Sequence, residues 1–370
     1  MTKAASARNA ASKAASRASR VASSHAISKL ATGAVAPRRG ASLASALTLS
    51  TVSMVCKAFL RATTTVHVSG EESLYSALGI KGRGGAWKRR RGVITIANHN
   101  SVVDDPMMWS LLPTATYFPF AGPRYTCANS RWTLGASDIM FTNPTLSKFF
   151  GWGQVIETVR GGGIYQLGVD DAIRKIEEGG WIHMFPEGRV NQAKSNPDGG
   201  MHRFKWGVGR IIMDSEVMPE IIPIWISGFD QIMNEHRKWP RFLPRPGANV
   251  SITVGESLTP LVAPLVDAWR TGLPRPPASG SEPTAPTRVE SDQSALRAHQ
   301  AEHADYLSGA FDPDESTRRE ITALLQNGLR SMGEAVESGE GRFAKEEWSQ
   351  SRRRESQGGL PAPEIEMARR

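Results

Sequence analysis

His99 and Asp104 stand five positions apart in Asn98-His99-Asn100-Ser101-Val102-Val103-Asp104-Asp105-Pro106, at the end of the apolar run Val93–Ala97. An imidazole titrates near neutral pH, so it can take a proton from an alcohol and return it later. A carboxylate across the same turn can hold one ring nitrogen and leave the other free as the base. That is the part an aspartate plays in a serine hydrolase. No protein nucleophile is then required, because a substrate hydroxyl can attack. Ser101 is the one hydroxyl near His99 that a covalent route would use. Asp105 reads as the cap of a helix opened by Pro106, with Asn98 and Ser101 bracing the loop. The rival reading is a turn histidine beside a helix cap.

A second polar cluster, Phe185-Pro186-Glu187-Gly188-Arg189, follows a second apolar run. Glu187 is suited to a glycerol hydroxyl and Arg189 to a phosphate. Gly188 lets the backbone approach a ligand closely. A surface turn with an Arg–Glu pair has the same composition. Arg160 precedes Gly161-Gly162-Gly163, an arrangement that fits either a phosphate clamp ahead of a helix or a solvated surface arginine. The glycine run does not match a P-loop or a dinucleotide fingerprint. His183 lies inside a strand and reads as packed. His67, His202 and His236 lack ligand spacing, so neither a metal nor a cofactor is expected.

The elements that must position these residues alternate between strand and helix patterns from Val66 to about Pro260. Strands are expected at Val93–Ala97, Gln154–Val159, Trp181–Phe185, Glu220–Ser227 and Asn249–Val254. Helices are expected at Met107–Leu112, Ile164–Glu178 and Lys205–Ser215, the second stopped by Gly179-Gly180. The alternation predicts an α/β layered domain with a largely parallel central sheet flanked by helices. In such sheets ligands bind outside the carboxyl ends of the strands, where both polar clusters fall.

The chain has 370 residues and a formal net charge of +9. Residues 1–70 hold ten Lys/Arg and no acid, leaving 35 basic against 36 acidic residues in the rest. Basicity therefore belongs to the N-terminus, and nucleic acid is not an expected partner. Cys56 and Cys127 support no disulfide framework. Residues 1–40, rich in Ala, Ser and Arg, match a mitochondrial targeting segment. Residues 41–62 read as a membrane-associating segment whose uncharged part, Gly40–Cys56, is too short and too rich in Ser and Thr for a good bilayer span and closer to an interfacial or re-entrant helix. The catalytic domain is expected over 63–261. A Pro/Ser-rich linker or insertion follows at 262–295, then a C-terminal helical region at 296–340 carrying Ile321, Leu324, Leu325 and Leu329 at helical spacing. A disordered charged tail, 341–370, ends the chain. Phe149-Phe150-Gly151-Trp152 is a candidate membrane-contacting patch.

The His99-to-Asp104 spacing followed by the Phe185–Gly188 block resembles the glycerolipid acyltransferase superfamily. Three features look like its tafazzin family in particular: the doubled aspartate with Pro106, the block Trp181–Asn191, and Ile222-Pro223-Ile224-Trp225 leading to Gly228 and Asp230. The resemblance runs in order from about Leu43 to Leu261, and the Gly153–Arg160 strand matches a superfamily block that ends in arginine. It implies a coenzyme-A-independent transacylase that moves acyl chains from phospholipids to lysophospholipids and remodels cardiolipin. It implies a place on the inner or outer mitochondrial membrane surface, facing the intermembrane space, and leaves self-association open. By the resemblance His99 and Asp104 are the catalytic pair, and Arg160, Glu187 and Gly188 bind the acceptor. The long basic N-terminus and the Pro-rich segment after Leu261 depart from the family pattern. Two rivals stand beside this reading: an acyl-coenzyme-A-dependent enzyme of the same fold, and a non-catalytic lipid-binding scaffold.

Overall fold

The computed structural model describes residues 43–80, 91–110, 112, 130–192, 195–196, 200–234, 237–272 and 313–341. The basic segment 1–40, Cys127, the linker positions 273–295, residues 296–312 and the tail from 342 lie outside the described residues. Seven strands form one sheet: β1 (Thr65–Ser69), β2 (Val93–Ala97), β3 (Trp132–Ala136), β4 (Val155–Thr158), β5 (Trp181–Met184), β6 (Glu220–Ser227) and β7 (Asn249–Val254). Their order is β1-β7-β6-β2-β5-β3-β4. Strands β2 to β6 run one way, while β7 turns back antiparallel to β6 and carries β1 parallel to itself. The sheet is largely parallel, as the alternation of elements predicts.

Both faces of the sheet are covered, which is why its central strands read as near-continuous apolar runs. On β2, Val93 and Ala97 enter one core and Ile94 and Ile96 the other. The first core takes in helices α1 (Leu43–Thr63), α2 (Glu71–Leu78) and α3 (Asp104–Trp109). Helices α4 (Ser137–Met140) and α5 (Pro144–Trp152) lead from β3 to β4. The second core takes in α6 (Leu167–Glu177), α7 (Gly207–Asp214), α9 (Thr259–Thr271) and α10 (Pro313–Gly339), while α8 (Phe229–Ile232) follows β6 on the first side.

One expected boundary is corrected. The break at 261 falls inside α9, which continues through Pro264 and buries Val262, Leu265 and Val266. An interior proline costs roughly 3 kcal/mol. Three buried aliphatic side chains, each contributing roughly 1.5–3 kcal/mol, outweigh it. The expected C-terminal helical region carries α10, which packs into the body of the protein. Ile321, Leu325 and Leu329 of α10 are fully buried in the second core. At Gly333 the helix lies so close to the sheet that a Cβ would sit 2.4 Å from the Trp225 ring. Buried Glu337 accepts hydrogen bonds from Trp225 Nε1 (3.2 Å) and Ser227 Oγ (3.3 Å).

Helix α1 covers more than the uncharged segment read from sequence. It carries on past Cys56 to include Lys57 and Arg61, and its 21 residues are long and apolar enough to cross a membrane by length and composition alone. Ala46, Leu49 and Leu60 face the protein, while Leu43, Leu47, Met54 and Val55 are exposed.

Candidate active site

The loop after β2 is fastened before any side chain does chemistry. Buried Asn98 behaves as an extra rung of the ladder: its Oδ1 accepts from Ile226 N and its Nδ2 donates to Ile226 O, each at 2.8 Å. Asn100 Nδ2 donates to the same carbonyl (2.7 Å), and Gln192 Nε2 donates to Asn100 O (2.7 Å). The backbone of His99 is held at both ends, its N–H by Glu187 Oε1 (3.1 Å) and its carbonyl by Asn191 N–H (2.7 Å).

On this fixed loop His99 Nδ1 lies 2.8 Å from Asp104 Oδ2. The same oxygen accepts from Asn100 N (2.6 Å) and Ser101 N (2.8 Å). Three donors converge on one carboxylate oxygen, so Nδ1 carries the hydrogen and Nε2 is left with its lone pair. The His99 ring stacks on Phe185, with centroids 4.1 Å apart, and its side chain is 18% exposed. Asp104 is fully buried. Burial pushes its pKa up, against the opposing pull of His99 and the two backbone N–H groups. A buried acceptor and a partly open imidazole form a base with one orientation.

Glu187 takes a different place from the one expected. It is 1% exposed; Oε1 holds His99 N–H, and Oε2 accepts from Asn191 Nδ2 (2.6 Å) and His202 N–H (2.9 Å). This carboxylate, expected to meet a glycerol hydroxyl, ties the two polar loops together from inside. Burial raises its pKa, and the three donors oppose that rise. Gly188 has φ +73°, and Lys205 packs over it, where a Cβ would meet Lys205 Cγ at 3.2 Å. Arg189 is exposed beside the His202 ring, Nη2 to Nδ1 3.5 Å, and no carboxylate pairs with it among the described residues. His202 is pushed down to about 4, first by burial and then by the charges of Arg189 and Lys205. The end of β5 is therefore cationic.

Arg160 stands apart. It follows β4, three strands from β2, which at 4.7–4.9 Å per strand is roughly 14 Å away. Its guanidinium pairs with Asp138 (3.2 Å), and both side chains are half-exposed. Asp105 is not a cap either: it pairs with Arg131 and accepts from Trp109 Nε1 (3.1 Å), while Arg131 also donates to Gly153 O (3.0 Å). Ser101 Oγ is buried and donates to Met233 O (3.4 Å), which turns the nearest hydroxyl away from a nucleophilic role.

His183 is packed, as expected. Thr95 Oγ1, which accepts from Trp181 Nε1, lies 2.9 Å from its Nδ1, and its ring meets Phe185 edge-on. Burial drives its pKa down to about 3. Between the ordinary 6.5 and that value the unfolded chain holds a proton that the folded protein does not, so this contribution to stability is complete above about pH 6.5 and is lost as pH falls toward 3. Denaturant titrations across this range should show parent His183 losing roughly 4 kcal/mol more than His183→Gln by the acid end. Parallel curves would mean that His183 is not the buried neutral base described.

Residues 65–227 match the family model described as Acyltransferase. A protein named Taffazin from Dictyostelium discoideum is 38% identical over 211 residues, covering 56% of this chain and 67% of that protein. Tafazzin of Drosophila melanogaster is 38% identical over 193 residues, 52% of this chain and 47% of that one. The chain thus spans two thirds of the first relative and about half of the second. Among solved structures, the 1-acyl-sn-glycerophosphate acyltransferase PlsC of Thermotoga maritima aligns with a TM-score of 0.39 at 17% identity, over 64% of this chain and 81% of that one.

Proposed function

The chain belongs to the tafazzin family within the glycerolipid acyltransferase superfamily and is a lipid acyltransferase, and from that premise we propose that it moves a fatty acyl chain from a phospholipid to a lysophospholipid without coenzyme A. The observation that carries the mechanism is His99, oriented through Nδ1 by buried Asp104 and partly open on its other side. Nε2 takes the proton of the acceptor hydroxyl as that oxygen attacks the donor ester carbonyl. Asp104 stabilises the imidazolium, and the proton returns to the departing lysophospholipid oxygen. Lysocardiolipin is the acceptor this reading names, with cardiolipin as the remodelled product. Arg189, Lys205 and Gly188 lie beside the base on the β5 side, where the acceptor phosphate is to be held, and Arg160 marks the far edge of the same sheet end.

The face on which His99 opens also suits a bilayer surface. Val102, Ile139, Val159, Leu167, Trp239 and Phe242 are all exposed and all follow the carboxyl ends of strands. Trp239 (85% exposed) and Phe242 (76% exposed) project from a loop that also carries Arg237, Lys238, Arg241 and Arg245. Because β6 and β7 are antiparallel, this loop stays at the His99 end of the sheet. Aromatic tips among cations suit the interface of an anionic membrane. The location we propose is a mitochondrial membrane facing the intermembrane space, in keeping with the acid-free N-terminus. Trp239→Ala/Phe242→Ala should weaken sedimentation with anionic vesicles by at least about tenfold, since each buried aromatic is worth roughly 1.5–3 kcal/mol. Transfer between detergent-dispersed lipids should be kept. Undiminished vesicle binding would remove this loop from the membrane contact.

Acyl exchange between labelled phosphatidylcholine and lysocardiolipin, with coenzyme A removed, tests the reaction. Transfer under those conditions is expected. Transfer only after acyl-coenzyme A is added would place the chain among thioester-dependent enzymes, with the same His99–Asp104 chemistry.

A further inference from the structure

We propose that Gln326, on the C-terminal helix α10, is a positioning residue for His99, so that this helix is a working part of the catalytic unit. The inference rests on the reading of His99 as the base.

The side-chain amide of Gln326 clamps one short stretch of chain at two points. Its Oε1 accepts from Phe204 N–H at 3.1 Å, and its Nε2 donates to His202 O at 3.4 Å. On the other side of the same stretch His202 N–H donates to Glu187 Oε2 (2.9 Å), and Glu187 Oε1 receives His99 N–H (3.1 Å). Lys205 N–H donates to Pro186 O (2.8 Å), tying the stretch to the turn that carries Glu187. A continuous hydrogen-bonded path therefore runs from α10 through His202 and Glu187 to the backbone of the base.

The path matters because its middle link has no regular structure. Residues 201–205 form neither helix nor strand, so no ladder of backbone bonds fixes them. The frame behind them is rigid. Ile321, Leu325 and Leu329 anchor α10 in the second core, and Gly333 and Glu337 seat it against Trp225. None of those anchors depends on Gln326. Losing this amide would leave the helix and the buried Phe204 side chain in place and release the backbone at 202 and 204 from α10. Glu187 would then lose a fixed donor, and His99 N–H a fixed acceptor.

The test is steady-state kinetics of full-length Gln326→Met, Gln326→Glu and Asn327→Ala, each with a thermal melt. Gln326→Met keeps the side-chain length and removes both bonds. Its kcat should fall about tenfold with KM within about twofold, because a base displaced by a fraction of an ångström is slow without binding substrate worse. Gln326→Glu retains the acceptor for Phe204 N–H but sets an oxygen against His202 O, so it should recover only part of that loss. Asn327 is exposed on the same helix, its side chain bonded among the described residues to Arg330 (2.7 Å), and its alanine variant should match the parent. In a double-mutant cycle, Gln326→Met should cost little further activity once Glu187→Gln is present, since both act on one path. A parental kcat for Gln326→Met, fully additive losses with Glu187→Gln, or a Gln326→Met protein that does not fold would each overturn the proposal. The two readings fail separately: an active His99→Ala protein sinks the assignment of the base, whereas a parental Gln326→Met beside an inactive His99→Ala sinks only the role of the helix.

Discussion

His99→Ala folds like the parent and transfers acyl chains roughly a hundred- to ten-thousandfold more slowly, the loss expected when a positioned general base is removed. The expectation of normal folding comes from how the loop is held. Its fixings are Asn98 on Ile226, Glu187 on His99 N–H and Asn191 on His99 O, and none uses the imidazole. Alanine removes the stacking on Phe185 and one of three donors to Asp104 Oδ2, leaving Asn100 and Ser101 N–H in place. Exchange of labelled acyl chains from phosphatidylcholine to lysocardiolipin reads the chemistry, and a thermal melt reads the fold. A folded variant with parental exchange would take His99 out of the mechanism altogether.

The residues that were legible in the sequence are those whose partners lie close by or whose pattern is dense. Strands β6 and β7 begin and end as expected, because β6 is an apolar run buried along its length and β7 alternates Val250, Ile252 and Val254, all in the first core, with polar residues. His99 and Asp104 sit on one turn, so their spacing already implies the contact. The bracing of the site by Glu187 was not legible because its partners come from elsewhere: His99 N–H lies 88 positions earlier and His202 N–H 15 positions later. Asp105 looked like a cap because its partner, Arg131, is 26 residues away. The separation of Arg160 from His99 follows from a strand order in which β5 and β3 intervene, which no local pattern encodes. Gln326 is the extreme case. A glutamine on an amphipathic helix gives no signal until tertiary packing brings it to Phe204, 122 residues away.

Asp104→Asn separates the charge of the aspartate from its shape. Oδ2 receives three N–H donors, whereas Oδ1 is buried without a hydrogen-bond partner among the described residues. An asparagine must therefore place its oxygen at the Oδ2 position, since its NH2 there would face three donors. The imidazole keeps the same tautomer and orientation. What disappears is the negative charge that meets the imidazolium once Nε2 has taken the acceptor proton. The rate should fall roughly a hundredfold, because the imidazolium loses the charge that stabilises it while the tautomer is kept. Stability should respond in the opposite sense. Burial raises the Asp104 pKa above its ordinary 3.8, so the folded protein binds this proton more tightly than the unfolded chain. That contribution is fully present below 3.8 and is lost as pH rises through the folded value. Asparagine does not titrate, so the melting temperature of the variant relative to the parent should climb across this window. A folded Asp104→Asn enzyme with parental rate would show that the charge is dispensable. A slow variant whose relative stability is flat with pH would mean the carboxylate carries no burial cost, and the reading of Oδ2 as a crowded, desolvated acceptor would have to be abandoned.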